Sequence, residues 1–157
     1  MNWVAEYQQT HHAEFVARLR RGMVLRAMLA AGSSQRSIAQ ALGVTQPAIS
    51  QQLRSGPDTS KVNPATLLEA ATPVIKTMAI ERGYSRLAVF GSVARGDAEP
   101  DSDIDLLVQA PDDASTFDFI RFQHEVTMVM GRKVDLIEYG GLKSGMDDDI
   151  RRDSIPL

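Results

Sequence analysis

Apolar positions recur every four residues early in the chain. Phe15, Leu19, Met23 and Ala27 form one stripe, which predicts a helix. Gly32 marks its stop, and Ser33 or Ser34 is a suitable N-cap for the next helix. The turn-rich cluster Ser55-Gly56-Pro57-Asp58-Thr59-Ser60 reads as a linker. Asn63-Pro64 then places a cap before a proline at the first helical position. A helix is predicted from there to about Arg82, broken or kinked at Pro73 and ended by Gly83. Beyond it the pattern changes. Leu87-Ala88-Val89-Phe90, the run from Ile104 to Val108, and Val134-Asp135-Leu136-Ile137 read as strands. Residues 113–130 read as a helix stopped by Gly131, and the tail after Gly145 as one short helix. There is no internal repeat. The expected class is α+β, with an all-α helix-turn-helix unit over 1–56 and a small α/β unit with a mixed sheet over 57–157.

Between Ser34 and Leu53 the residue types follow a spatial logic. Ile38 and Leu42 would share an apolar face, and small Ala39 would let a second helix approach closely. Gly43 permits the left-handed turn between helices, Val44 would plug the corner, and Thr45 would cap the next helix. Pro47 falls within that helix's first turn, and Ile49 and Leu53 would face back inward. Gln46, Ala48, Ser50, Gln51 and Arg54 are left outward. The polar members of that set are of the kind that reads base edges. The stretch over residues 23–54 resembles the helix-turn-helix of bacterial and phage repressors. That resemblance implies binding to a double-stranded DNA operator through Gln46, Ser50, Gln51 and Arg54, and a two-fold dimer. His11 and His12 are adjacent and point to different sides of a helix, with no ligand set in sequence, so they read as exposed surface.

The densest chemical signal is Gly91-Ser92-Val93-Ala94-Arg95-Gly96, followed by Ser102-Asp103-Ile104-Asp105-Leu106. A strand runs into Gly91, whose lack of a side chain lets backbone approach a ligand. Ser92 adds a hydroxyl and an N–H at a helical start, which suits triphosphate oxygens. Arg95, three residues on, reaches the same side. Asp103 and Asp105 are two apart at a strand start and share a face, where they repel unless a cation intervenes. Oxygen-only ligands favour Mg²⁺. Asp135, inside an apolar strand, is the natural third acid. Three carboxylates suit two metal ions about 4 Å apart.

These residues resemble the polymerase-β-type nucleotidyltransferase superfamily: Gly-Ser, ten intervening residues, then Asp-x-Asp. More closely they resemble the minimal nucleotidyltransferase family, whose members often read Gly-Ser-x-Ala-Arg-Gly, and the likeness extends over residues 64–157. It implies a nucleotide site at Gly91, Ser92, Arg95 and Ser102. It also implies Mg²⁺ at Asp103, Asp105 and Asp135, with Asp135 assisting deprotonation of the attacking hydroxyl. By the same resemblance the chain is an antitoxin that transfers AMP from ATP to a tyrosine hydroxyl of a partner HEPN toxin, a helical ribonuclease. The chain ends about twenty residues after Asp135, so the acceptor is expected to be another macromolecule, such as a toxin in a hetero-oligomer. Most such antitoxins lack a helix-turn-helix; its presence here implies either regulation of the chain's own operon or a regulator whose transferase fold only senses a nucleotide.

Composition narrows these expectations. Absence of cysteine excludes disulfides and thiolate chemistry. The start shows no basic-then-apolar leader, and Met23–Ala31 is too short and too interrupted to span a bilayer. A cytoplasmic protein with no membrane partner is expected. The net charge of −3 conceals an asymmetry: residues 1–60 carry six arginines against three acids, and the remainder carries a surplus of acids. A basic front suits nucleic acid and an acidic back suits cations.

Overall fold

The computed structural model describes all 157 residues, Met1–Leu157. The Asn2 side chain accepts from the Ala5 N–H and starts α1 (Trp3–Ala30), 28 residues long. Ser34 caps α2 (Gln35–Leu42) through a reciprocal hydrogen bond with Ser37. Gly43 takes a left-handed φ of 69°, and Thr45 accepts from the Ala48 N–H to open α3 (Gln46–Ser55). Ile38, Ala39 and Ile49 bury against Leu25 of α1, with Met28, Leu29 and Leu53 at the margin. Leu42 and Val44 depart from expectation: they are 55% and 42% exposed. Leu42 lies one turn beyond Ile38, past the edge of this contact, so the corner at Gly43 is closed by Ile38 and Ile49 and not by Val44.

α4 (Pro64–Glu81) begins as its Asn63-Pro64 pair predicts, with Asn63 accepting from the Ala65 N–H. It is one continuous helix through Pro73, not a broken one. A proline removes the donor that would satisfy the carbonyl four residues back, here Glu69. Arg20 of α1 compensates. Its guanidinium donates to the Glu69 carbonyl at 3.1 Å and to the Ala70 carbonyl at 2.9 Å. Beside it His12 meets Glu69 at 2.8 Å, so a carboxylate distant in sequence accompanies the histidine pair after all.

The sheet is four-stranded, in the order β3-β2-β1-β4, from β1 (Ser85–Phe90), β2 (Ile104–Gln109), β3 (Val134–Glu138) and β4 (Ile155–Pro156). β1 runs antiparallel to β2 and β4, whereas β2 and β3 are parallel. A parallel pair needs a crossover, and α6 (Thr116–Met130) supplies it, capped by Ser115. β4 went unforeseen because two residues carry no period. Alternation along the strands sends Leu87, Val89, Ile104, Leu106 and Val108 to one face, where Leu67, Ile75, Phe122 and Val126 of α4 and α6 complete the core. Val16, Leu19 and Met23 of α1 belong to that same cluster. α1 is therefore shared between the α2–α3 pair and the sheet. The opposite face of the sheet carries a smaller cluster, Ala88, Phe90 and Leu107 under Leu142, with Ile137, Tyr139 and Ile150 at its margin.

The linker is fastened by one residue. Arg132, 9% exposed, donates to the carbonyls of Thr59, Ser60 and Val62, and to those of Pro100 and Ser102. Orphaning buried carbonyls costs about 1–3 kcal/mol each. Arg132→Met is expected to lower unfolding free energy by at least about 3 kcal/mol in urea titration, and Arg20→Met by about 1–2 kcal/mol. A loss below about 1 kcal/mol for Arg132→Met would mean that water replaces the guanidinium fully.

Candidate active site

β1 stops at Phe90 and the chain turns directly into α5 (Gly91–Arg95). Gly91 adopts φ 71°, and a Cβ on it would lie 2.2 Å from Asp105 Oδ2. Both facts demand glycine: the left-handed backbone, and the carboxylate occupying the space of the missing side chain. The turn and the acid are thus built against each other. Their alignment follows from register, because Phe90 is the cross-strand partner of Asp105.

The parallel register of β2 and β3 pairs Asp105 with Asp135. Directly paired residues share a face, so the two carboxylates stand side by side on the half-buried surface beside Gly91. Asp103, just before β2, completes the group through Lys133. The lysine Nζ lies 3.1 Å from Asp103 Oδ2 and 3.7 Å from Asp135 Oδ1. Burial pushes the Asp105 carboxyl above the usual carboxylate range, reinforced by the charges of Asp135 and Asp103 and opposed by Arg95. The hydrogen bond and charge of Asp103, then the charge of Asp135, hold the Lys133 ammonium above its usual range.

The remaining nucleotide-site candidates are placed differently. Ser92 sits at the start of α5, partly exposed, directly after the Gly91 that abuts Asp105. Arg95 is at the other end of that helix and meets Asp97 at 3.3 Å. The Ser102 hydroxyl accepts from the Glu99 N–H at 2.8 Å, so it closes the loop leading to Asp103. At the other end of the molecule, Gln46, Gln51 and Arg54 are exposed and Ser50 half-buried along α3. Arg54 donates to Ser50 at 2.6 Å, and Gln46 donates to Gln35 at 2.7 Å.

Three oxygen donors, crowded enough to raise one carboxyl and to draw an ammonium between two of them, are the donor chemistry of a hard divalent cation. The side chains are not drawn into one coordination sphere here; the Lys133 ammonium takes up part of the charge that a cation would neutralise. Lys133 and Arg132 were not among the expected site residues. Both lie in Arg132-Lys133-Val134-Asp135, directly ahead of the third acid, and that adjacency was the available signal. Arg132 fixes the loop that carries Asp103 through the Pro100 and Ser102 carbonyls.

Residues 76–156 match the family described as Nucleotidyltransferase domain. The Protein adenylyltransferase MntA of Thermococcus cleftensis is 36% identical over 73 residues, which are 46% of this chain and 74% of that protein. A protein of Methanocaldococcus jannaschii, provisionally named a protein adenylyltransferase, is 32% identical over 78 residues, 50% of this chain and 84% of its own length. A solved structure, also provisionally described as a minimal nucleotidyltransferase, shares 32% identity with a TM-score of 0.55, covering 61% of this chain and 97% of that one. The chain belongs to the minimal nucleotidyltransferase domain family. It is an enzyme of the nucleotidyltransferase class, which generally uses ATP and Mg²⁺. Residues 1–75 lie outside the matched family span. No helix is long and apolar enough to cross a membrane.

The raised Asp105 carboxyl has a stability consequence with a definite sign. The folded state holds this proton more tightly than the unfolded chain does. Stability therefore falls as pH rises from the ordinary carboxylate value through the folded one, and is level above it. Asp105→Asn removes that loss. Without added metal, its urea midpoint is expected to exceed the wild type's near pH 7 and to match it below about pH 4. An Asp105→Asn midpoint below that of the wild type at neutral pH would count against crowding of the acids.

Proposed function

We propose that the protein transfers AMP from ATP to a hydroxyl of a partner protein, specifically a tyrosine of a HEPN-type toxin, and acts as its antitoxin in the cytoplasm. The observation that carries the transfer is the placement of Asp105 and Asp135 as direct neighbours against the side-chain-free Gly91 turn. The names of the two curated relatives support protein as the acceptor class.

In this reading Gly91 and Ser92 hold the triphosphate, the backbone approaching closely where no Cβ intrudes. Arg95 reaches the triphosphate by leaving exposed Asp97. Asp103, Asp105 and Asp135 hold Mg²⁺, as two ions. Bound there, the metal supplies charge neutralisation for the phosphoryl group in flight. The acceptor oxygen forms a bond to the α-phosphorus, the bond to the bridging oxygen breaks, and pyrophosphate leaves. Asp135 takes the hydroxyl proton. The test incubates the protein with the product of its neighbouring gene, Mg²⁺ and each labelled nucleoside triphosphate. A gain of one AMP on the partner is expected, with Asp105→Asn slower by several orders of magnitude. Equal labelling by both forms would sink the mechanism.

We propose further that α2 and α3 form a helix-turn-helix that reads an operator as a dimer, with Gln46, Ser50, Gln51 and Arg54 toward the bases. The support is the buried Ile38, Ala39 and Ile49 contact, which leaves the polar side of α3 outward. The Arg54–Ser50 and Gln46–Gln35 bonds are exposed and open to exchange for base edges. Gln46→Ala or Gln51→Ala is expected to weaken the specific site by about 1–3 kcal/mol while sparing random duplex. Selection from random DNA by the full chain provides the check; recovery of no preferred sequence would refute base reading.

A further inference from the structure

We propose that Arg18, Arg21 and Arg26 of α1 form a phosphate-binding site in the pocket between that helix and the end of α3. The pocket encloses about 120 Å³, and Gln52, Ser55 and Thr59 line it together with the arginines, Leu19 being its one hydrophobic side chain. No acid lines it. Asp58, the one acid in the adjoining linker, turns instead to Ser60 and Lys61. None of the three guanidiniums is paired with a carboxylate anywhere in the chain. Arg18 and Arg21 make no hydrogen bond, and Arg26 makes a single one, to the Val129 carbonyl at 2.9 Å.

Three cations sharing one small pocket repel, and a bound anion removes that repulsion. Burial also holds the Arg26 guanidinium below its ordinary range. The helix makes room for it. A Cβ on Gly22 would lie 3.3 Å from Arg26 Nη1, so a glycine in mid-helix, costly by its propensity, leaves this guanidinium its place over the pocket. Guanidinium forks match the oxygens of phosphate. At about 30 Å³ per water molecule, the space equals some four waters and accepts a phosphate group. Because the pocket flanks α3, the phosphate could belong to a DNA backbone or to a free small molecule, and both present the same oxygens.

The test uses the full chain, with EDTA present to keep the acidic site free of metal. Inorganic pyrophosphate binding is followed by calorimetry, and binding to a random duplex is followed across salt concentrations. The double variant Arg18→Gln/Arg21→Gln is compared with wild type and with Lys76→Gln, an exposed charge that lines a different pocket. For a DNA phosphate, the slope of log affinity against log salt is expected to fall by about 0.9 per arginine, while Lys76→Gln leaves it unchanged. For a free phosphate, pyrophosphate affinity falls at least about tenfold in the double variant and Gly22→Ala weakens it too. Either result supports the site and identifies its source. Unchanged slope together with unchanged or absent pyrophosphate binding overturns it. This readout does not depend on sequence preference, so failure of base reading in α3 leaves it intact.

Discussion

Five backbone carbonyls from two separate segments converge on the guanidinium of Arg132. Each would be costly to leave unpaired near the protein interior, and the two terminal nitrogens of one planar group serve them together, Nη1 for Pro100 and Ser102 and Nη2 for Thr59, Ser60 and Val62. One of the segments is the turn that leads from α3 into α4. The other is the loop that delivers Asp103 to β2. A single side chain at the entrance of β3 therefore fixes both the way the N-terminal helices join the sheet and the position of the first acid of the site.

Around that anchor the site is organised by repulsion. The parallel pairing of β2 with β3 gives Asp105 and Asp135 no choice of face, and Gly91 closes against Asp105 on the third side. Burial and neighbouring charge raise one carboxyl, while Lys133 draws toward two of the acids from the solvent side. Such an arrangement is poor as a stability device, because neighbouring carboxylates repel and burial penalises their charge.

The helical part is tied to the sheet more closely than a two-module chain would be. α1 gives Val16, Leu19 and Met23 to the sheet's core and Leu25 to the α2–α3 contact. Arg20 meanwhile satisfies the Glu69 carbonyl that Pro73 leaves open in α4 and also reaches that of Ala70. One long helix thus serves as the floor of both units, and motion of one relative to the other has to pass through it.

Much of this was legible in sequence. Caps, stops and strand positions are local chemistry, so Ser34, Gly43, Thr45, Asn63, Gly91 and Gly131 marked their turns without any partner in view. Gly-Ser and the acid within an apolar strand stand beside Asp105 because the register of β1, β2 and β3 brings them there, whereas Asp103 lies just ahead of β2 and joins them through Lys133. What sequence could not show is everything that depends on which segments meet. The continuity of α4 through Pro73 depends on an arginine fifty residues earlier. Leu42 and Val44 remain exposed because no element reaches that corner. That α1 faces two partners is not written in its own stripe, and the two-residue β4 has no period to detect. The roles of Arg132 and Lys133 are likewise tertiary: a charged side chain reads as surface until the fold closes carbonyls around one and carboxylates beside the other. Local hydrogen bonding and periodicity act within a few residues and are written in order along the chain, whereas burial and charge pairing arise only where distant segments come together.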